Sequence, residues 1–295
     1  MVIFLLIALS ALNWFFGLPI NEAEFALFFQ NICKNMSPHT SEYNVLYAAT
    51  ICGLNPPPSS MIWDFRNSGL YHLIVVSGAH LIFCSVLLDK ILFFRPCVFK
   101  TSLKFAFLLG YSLFSGMNPP VVRALVGLVL ASQAEHYKLN WSGSITVLFS
   151  GFVCLALFPA WWDSLSFLMS WSAAFALTTA SSALKKSAAV YIVMLVPMLG
   201  LGLNSPATIL MNWLMAPILG FILLPVSFLP FIHSSFLGFS DWVWAILIYI
   251  ISFLSQFSAS ANATYQIPTF MMWIFLLGLQ FALYQYIVTR RKKEL

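Results

Sequence analysis

Charged side chains make up only 8% of the 295 residues, whereas 61% are hydrophobic and 17% are aromatic. A soluble domain carries about a quarter charged residues, so water is not the main solvent of this chain. Apolar runs of about 20 residues, the length that crosses a bilayer, fill most of the sequence and leave no stretch able to form a soluble globular domain. We therefore expect an all-α, polytopic integral membrane protein of about ten transmembrane segments.

Motifs that mark common enzyme classes are also missing. No glycine is followed by lysine, so the sequence has no phosphate-binding GxxxxGK[ST] loop and does not predict an ATP-driven motor. It has no HxHxDH-type cluster either, and its cysteines form no CxxC pair and no paired His/Cys spacing. We expect no metal, no cofactor and no catalytic residue in this chain.

Hydropathy divides the chain into four parts. The first apolar run lacks the basic start and the small-residue cleavage site of a secretory signal, so we interpret it as an uncleaved span. The predicted parts are an N-terminal transmembrane segment (1–20), an extracytoplasmic cap with amphipathic helices around 43–54 and 60–67 (21–68), a transmembrane domain (69–289) and a basic cytoplasmic tail (290–295).

Nine further apolar runs follow the first one. Residues 105–117 and 121–134 are short for a bilayer of about 30 Å and meet at Asn118-Pro119-Pro120, so they form either two spans or a re-entrant hairpin. The runs cover residues 70–88, 105–117, 121–134, 141–158, 164–182, 187–203, 207–229, 241–257 and 269–288.

The distribution of basic residues predicts the orientation. Placing Met1 in the cytoplasm puts all but three of the 14 lysines and arginines inside, with Lys34 and Arg66 outside and Arg123 at membrane depth. Both termini are then cytoplasmic. The net charge of +5 alone does not separate this topological bias from a nucleic-acid surface.

Two of the five cysteines, Cys33 and Cys52, fall in the segment that we place outside the membrane. Disulfides form in that oxidising compartment, so the pair is a candidate bridge, although the sequence leaves open whether it is bonded.

The most polar of the apolar runs contains His72, Ser77, Gly78 and His80. Polar groups at membrane depth are costly and mark either helix packing or a hydrated path. On an ideal helix Ser77 and His80 share a face, and His72 lies roughly 80° from His80. The alternative for each histidine is a buried ring satisfied by a nearby carbonyl.

Arg123 is the second unusual residue, because it follows the Pro119-Pro120 break by one turn. An arginine at membrane depth costs at least about 2.5 kcal/mol unless it is hydrated or paired. We expect it to face an aqueous vestibule or an acidic partner such as Asp64. The alternative is a side chain that reaches the membrane interface.

Four motifs in this order resemble those of the ComEC competence family. The stretch from Gly69 through His80 resembles the family's histidine-containing signature, although Ala79 stands where leucine is usual. The other matching stretches are residues 118–124 with Asn118 and Arg123, residues 166–170 with Leu168 in place of a frequent glutamine, and residues 212–217 with Asn212.

This resemblance implies an inner-membrane channel for single-stranded DNA, lined by His72, Ser77, Gly78, His80, Asn118, Arg123 and Asn212. It also implies an extracytoplasmic DNA receptor and a cytosolic helicase-like ATPase as partners, with membrane lipid around the protein. Family members often carry an OB-like domain and a metallo-β-lactamase-like domain. We find neither up to Leu295 and expect the nuclease to be a separate protein.

Three alternatives remain open. A secondary transporter of a small solute would also have proline-broken spans with polar residues at mid-depth. An intramembrane serine protease would use Ser77 with a histidine as its base, but Val75 stands where the GxSG form needs glycine. A relative that has lost transport would keep the same motifs.

Overall fold

The computed structural model describes residues 22–93, 97–179, 182–199, 207–256 and 268–294, and the regular structure in these ranges is helical without any strand. The all-α prediction is therefore confirmed for the described part of the chain. The predicted span at 1–20 lies outside it.

The described residues form a chain of α-helices with short connections. A π-helical segment (Leu219–Leu223) and two 3₁₀ turns (Pro159–Asp163 and Ser234–Phe236) interrupt them. The helices are α1 (Glu22–Met36), α2 (Asn44–Cys52), α3 (Ser60–Asn67), α4 (Tyr71–Ile74), α5 (Gly78–Ile91), α6 (Cys97–Phe114), α7 (Pro119–His136), α8 (Gly143–Leu157), α9 (Leu165–Thr179), α10 (Ala183–Leu199), α11 (Ala207–Ile218), α12 (Leu224–Ile232), α13 (Leu237–Ser255) and α14 (Thr269–Glu294).

Helices α6 and α7 are longer than the apolar runs that predict them. Each has 18 residues, which at 1.5 Å per residue gives about 27 Å, close to the hydrocarbon thickness of about 30 Å. Hydropathy underestimates α6 because Lys100 and Lys104 lie in its first turns. The chain reverses between the two helices through positive φ angles at Gly116 and Met117.

The predicted span at 70–88 is not one helix. Val75 is extended after α4, and Ser77, with φ −130° and ψ 167°, is the extended N-cap of α5. The prediction that Ser77 and His80 share a face of a continuous helix is therefore wrong. Two β-branched valines followed by serine favour this break, because valine is restricted in helices and serine is a preferred N-cap.

The segment that the sequence assigns to a cap is packed into the main helical body. Its predicted amphipathic helices are found as α2 and α3, but Leu46, Tyr47 and Phe65 have no exposed surface. They share a hydrophobic core with Met215 of α11 and Trp244 of α13. The predicted helices do not include α1.

Hydrogen bonds attach this segment to both ends of α13. Asp241, near the start of α13, accepts from Ser41 Oγ at 2.7 Å and from Tyr47 Oη at 2.9 Å. At the other end, Ser255 Oγ donates to Asp64 Oδ1 at 3.0 Å. Asp64 is therefore committed to α13, and the expectation that it pairs with Arg123 is wrong.

A disulfide joins Cys33 of α1 to Cys52 of α2, with Cα atoms 5.6 Å apart. Gln30 Nε2 also donates to the Cys52 carbonyl at 3.0 Å. The bridge and this hydrogen bond hold α1 against the end of α2, next to the turn between α6 and α7.

By length and hydropathy, two helices of the described residues qualify as membrane spans, Ile209–Ile232 and Ser234–Ser255. Large apolar side chains are also exposed on the helical surface, such as Ile232 (73%), Tyr249 (78%) and Phe281 (65%). Exposed apolar surface of this extent marks a face that meets lipid or another protein.

Candidate substrate path

The N-terminus of α5 is organised by His80. The Ser77 N–H donates to His80 Nδ1 at 3.1 Å, and the His80 N–H donates to the Ser77 carbonyl at 3.1 Å. A ring nitrogen that accepts a hydrogen bond carries no proton, so His80 is neutral in this arrangement. His80 is buried, and its contacts are those of a helix cap.

Gly78 brings α5 into close contact with α7. A Cβ atom on Gly78 would lie 3.0 Å from the Ala124 Cβ, 3.0 Å from the Pro120 carbonyl oxygen and 3.2 Å from Arg123 Nη2. Only glycine leaves this space free. The predicted path residues Gly78 and Arg123, which are 45 positions apart in the sequence, therefore lie side by side.

Arg123 is buried at this junction, with 6% of its surface exposed. Its Nε donates to Ser170 Oγ of α9 at 3.0 Å, which ties α7 to α9. Within the described ranges the ion pairs are those of Asp89 with Lys100 and Lys104, so no acidic side chain there neutralises Arg123. A guanidinium stays protonated in proteins, so the junction carries a buried positive charge.

Ser170 is not among the path residues predicted from the sequence. The sequence feature that points to Ser170 is the 166–170 motif, in which Ser166 and Ser170 are four residues apart and share a face of α9. Ser166 is exposed, whereas Ser170 is half-buried beside Arg123. We call Ser77, Gly78, Arg123 and Ser170 the α5–α7–α9 junction.

Asn118 has a structural position outside this junction. Its Nδ2 donates to the Gly53 carbonyl at 3.2 Å and to the Ser115 carbonyl at 2.9 Å. Gly53 has a φ of +66° and closes α2. Asn118 therefore fixes the start of α7 to the disulfide-linked end of α2.

The two remaining predicted path residues are His72 and Asn212. His72 is exposed on α4. Asn212 is half-buried on α11, about two turns before the π-helical segment Leu219–Leu223. No hydrogen bond among the described residues joins either side chain to Ser77 or Arg123.

Buried polar atoms without a partner occur at two of the predicted path residues. Among the described side chains, these atoms are Ser77 Oγ, Asn212 Oδ1, Ser227 Oγ and Trp244 Nε1. A buried unsatisfied polar group costs about 1–3 kcal/mol, so each of these atoms marks a position where water or a ligand would stabilise the protein.

The geometry disfavours a serine protease. His80 Nδ1 accepts a hydrogen bond from the backbone N–H of Ser77, whereas a catalytic base must contact the serine hydroxyl. No group of three His, Cys, Asp or Glu side chains within the described ranges could hold a metal ion.

Comparison with known protein families identifies one family whose model matches the chain. The family model described as "Competence protein" matches residues 58–292, which is most of the chain. No curated protein matches, and no solved structure matches.

Proposed function

The chain belongs to the competence protein family, and we propose that it forms the inner-membrane channel for a single DNA strand during natural transformation. Membership of the family indicates a role in DNA uptake. The observation that supports a channel most directly is the α5–α7–α9 junction, where a buried arginine has no acidic partner in the described part of the chain.

A DNA strand needs such a polar site inside the protein. Each phosphate carries a full charge that hydrocarbon cannot solvate, so a path through the membrane must offer hydrogen-bond donors and positive charge. Arg123 supplies the charge, and Ser77 and Ser170 supply hydroxyl groups. His72, His80, Asn118 and Asn212 remain proposed path residues, with His80 and Asn118 acting through the helix ends that they fix.

The proposed topology has about ten crossings with both termini in the cytoplasm. It comprises the span at 1–20, the extracytoplasmic segment 21–68, the channel domain 69–289 and the basic tail 290–295. The bias of basic residues and the exposed apolar side chains support a multi-pass protein surrounded by lipid in the bacterial cytoplasmic membrane.

Energy for DNA entry must come from a partner. An inside-negative potential opposes anion entry by about 2.3 kcal/mol per charge per 100 mV. The chain has no phosphate-binding GxxxxGK[ST] loop, so we assign the driving force to a cytosolic helicase-like ATPase. An extracytoplasmic receptor delivers the strand, and a separate nuclease removes the second one.

A deletion strain tests the proposed function. We expect transformation with linear chromosomal DNA to be lost and to return when the wild-type chain is supplied. Introducing a plasmid by electroporation, which bypasses the uptake channel, should succeed equally with and without the protein. Normal transformation of the deletion strain would contradict the proposal.

Secondary transport of a small solute is the second candidate. The observation in its favour is the helix interruption at Leu219–Leu223, which follows the unpartnered Asn212 Oδ1. Interrupted spans with free polar groups are typical of transporter sites. Loss of growth on a particular solute in the deletion strain, with normal transformation, would favour this function.

A further inference from the structure

We infer that the α5–α7–α9 junction is an anion site that holds one phosphodiester group of the passing strand. The choice of a phosphodiester as the anion depends on the proposed function, whereas the anion site itself depends on the geometry of the described residues.

The first component is the N-terminus of α5. Within the described part of the chain, the N–H groups of Gly78 and Ala79 have no acceptor, and no acidic residue lies in the first turn of this 14-residue helix. Free N–H groups and the helix dipole together favour a bound anion at such an end. The missing Cβ of Gly78 lets Arg123 Nη2 come close to this helix end.

The second component is Arg123. A guanidinium has five N–H donors, and Ser170 accepts from the one on Nε. The donors on the two Nη atoms remain, and Nη2 lies 3.2 Å from the position of a Gly78 Cβ. The free edge of the guanidinium therefore faces the N-terminus of α5. Paired donors of this kind match the oxygens of a phosphate group.

The third component is the Ser77 hydroxyl, which is buried and donates to no acceptor in the described ranges. It lies at the N-cap of α5, directly before Gly78. Three groups from two helices thus carry hydrogen-bond donors without a described acceptor where α5 meets α7, and no described carboxylate pairs with Arg123. An anion bound there would neutralise the buried charge and satisfy the hydroxyl.

Ser170 is a positioning residue in this arrangement. Its hydroxyl accepts from Arg123 Nε and so fixes the plane of the guanidinium, leaving the Nη edge toward α5. Replacing it with alanine removes the orientation and keeps the charge. We expect a smaller loss of anion binding for Ser170→Ala than for Arg123→Gln.

Binding to the purified protein in lipid nanodiscs tests the anion site. The probe is a fluorescent ten-residue oligothymidylate, followed by anisotropy over a series of salt concentrations. We expect Arg123→Gln to weaken binding at least about tenfold and to reduce the salt slope by about 0.7, the value for one lost phosphate contact on a single strand. Lys186→Gln removes an equal charge from a partly exposed position near the start of α10 and should change neither value.

A second probe needs no variant. An oligothymidylate with uncharged methylphosphonate linkages keeps the bases and loses the anionic oxygens, so it should compete much more weakly for the wild-type protein. Equal competition by the two oligonucleotides would overturn the anion site, as would equal salt slopes for Arg123→Gln and Lys186→Gln. If the anion site exists but the proposed function is wrong, the purified protein would still bind inorganic phosphate or the oligonucleotide, and the deletion strain would still transform.

Discussion

Replacing Gly78 with alanine adds one carbon atom at the closest approach of α5 and α7. The new Cβ would lie 3.0 Å from both the Ala124 Cβ and the Pro120 carbonyl oxygen. Carbon atoms pack best at about 3.5–4.0 Å, so the neighbouring atoms must move away from the new Cβ by roughly 0.5–1 Å. Neither neighbour has a flexible end that can turn away, so the two helices must separate.

The expected cost is that of overpacking in a core, about 1–3 kcal/mol. A change of this size lowers the melting temperature by roughly 2–5 °C for a chain of this length. DNA uptake should fall by more than the protein level, because the added methyl group is also 3.2 Å from Arg123 Nη2 and displaces the guanidinium.

Gly110→Ala is the matched control. Gly110 lies within α6, and a Cβ atom there would meet nothing within 4 Å. Alanine is the better helix former by up to about 1 kcal/mol, so this variant should be neutral or slightly more stable. The assay compares transformation frequency, membrane abundance and melting temperature of the two variants with those of the wild type. Equal behaviour of Gly78→Ala and Gly110→Ala would refute the close packing at the junction.

Three further outcomes are expected. Alkylation at lysis followed by mass spectrometry should find Cys33 and Cys52 bonded to each other, and two free thiols would contradict the described bridge. A periplasm-dependent phosphatase fused after Leu295 should be inactive, because the basic-residue bias places both termini in the cytoplasm. His80→Ala should lower DNA uptake less than Arg123→Ala does, because it removes a helix cap and not a charge. Losing such a cap reduces stability by about 0.5–2 kcal/mol. An equal loss of uptake in the two variants would show that the His80 ring acts in the path itself.

The sequence predicts the helical class because composition and apolar runs depend on local residues alone. It also locates most helices after residue 43, including the start of α7 at the double proline. Helix ends are less predictable where polar residues continue a helix, as at Lys100 and Lys104 of α6. The break at Val75 depends on a tertiary contact that the sequence does not show: the Val76 N–H donates to the Ala49 carbonyl.

The candidate site was predictable by residue type and not by arrangement. Motif matching selects Gly78 and Arg123, but the contact between them depends on how α5 crosses α7. Ser170 was missed because a serine in an apolar helix is common, and its contact with Arg123 exists only after folding. Asn118 was selected as a path residue, whereas its observed bonds connect α7 to α2.

Entry of labelled DNA into the cytoplasm of cells carrying Arg123→Ala tests whether the DNA strand passes through the α5–α7–α9 junction. Membrane abundance is measured on the same cells, and Lys186→Ala provides a charge-matched control at a partly exposed position near the start of α10. We predict that cytoplasmic DNA falls strongly at normal abundance for Arg123→Ala and is unchanged for Lys186→Ala, because only Arg123 lies in the buried junction. Normal DNA entry in Arg123→Ala at normal abundance, or a fall in entry that only follows abundance, would contradict a DNA path through this junction.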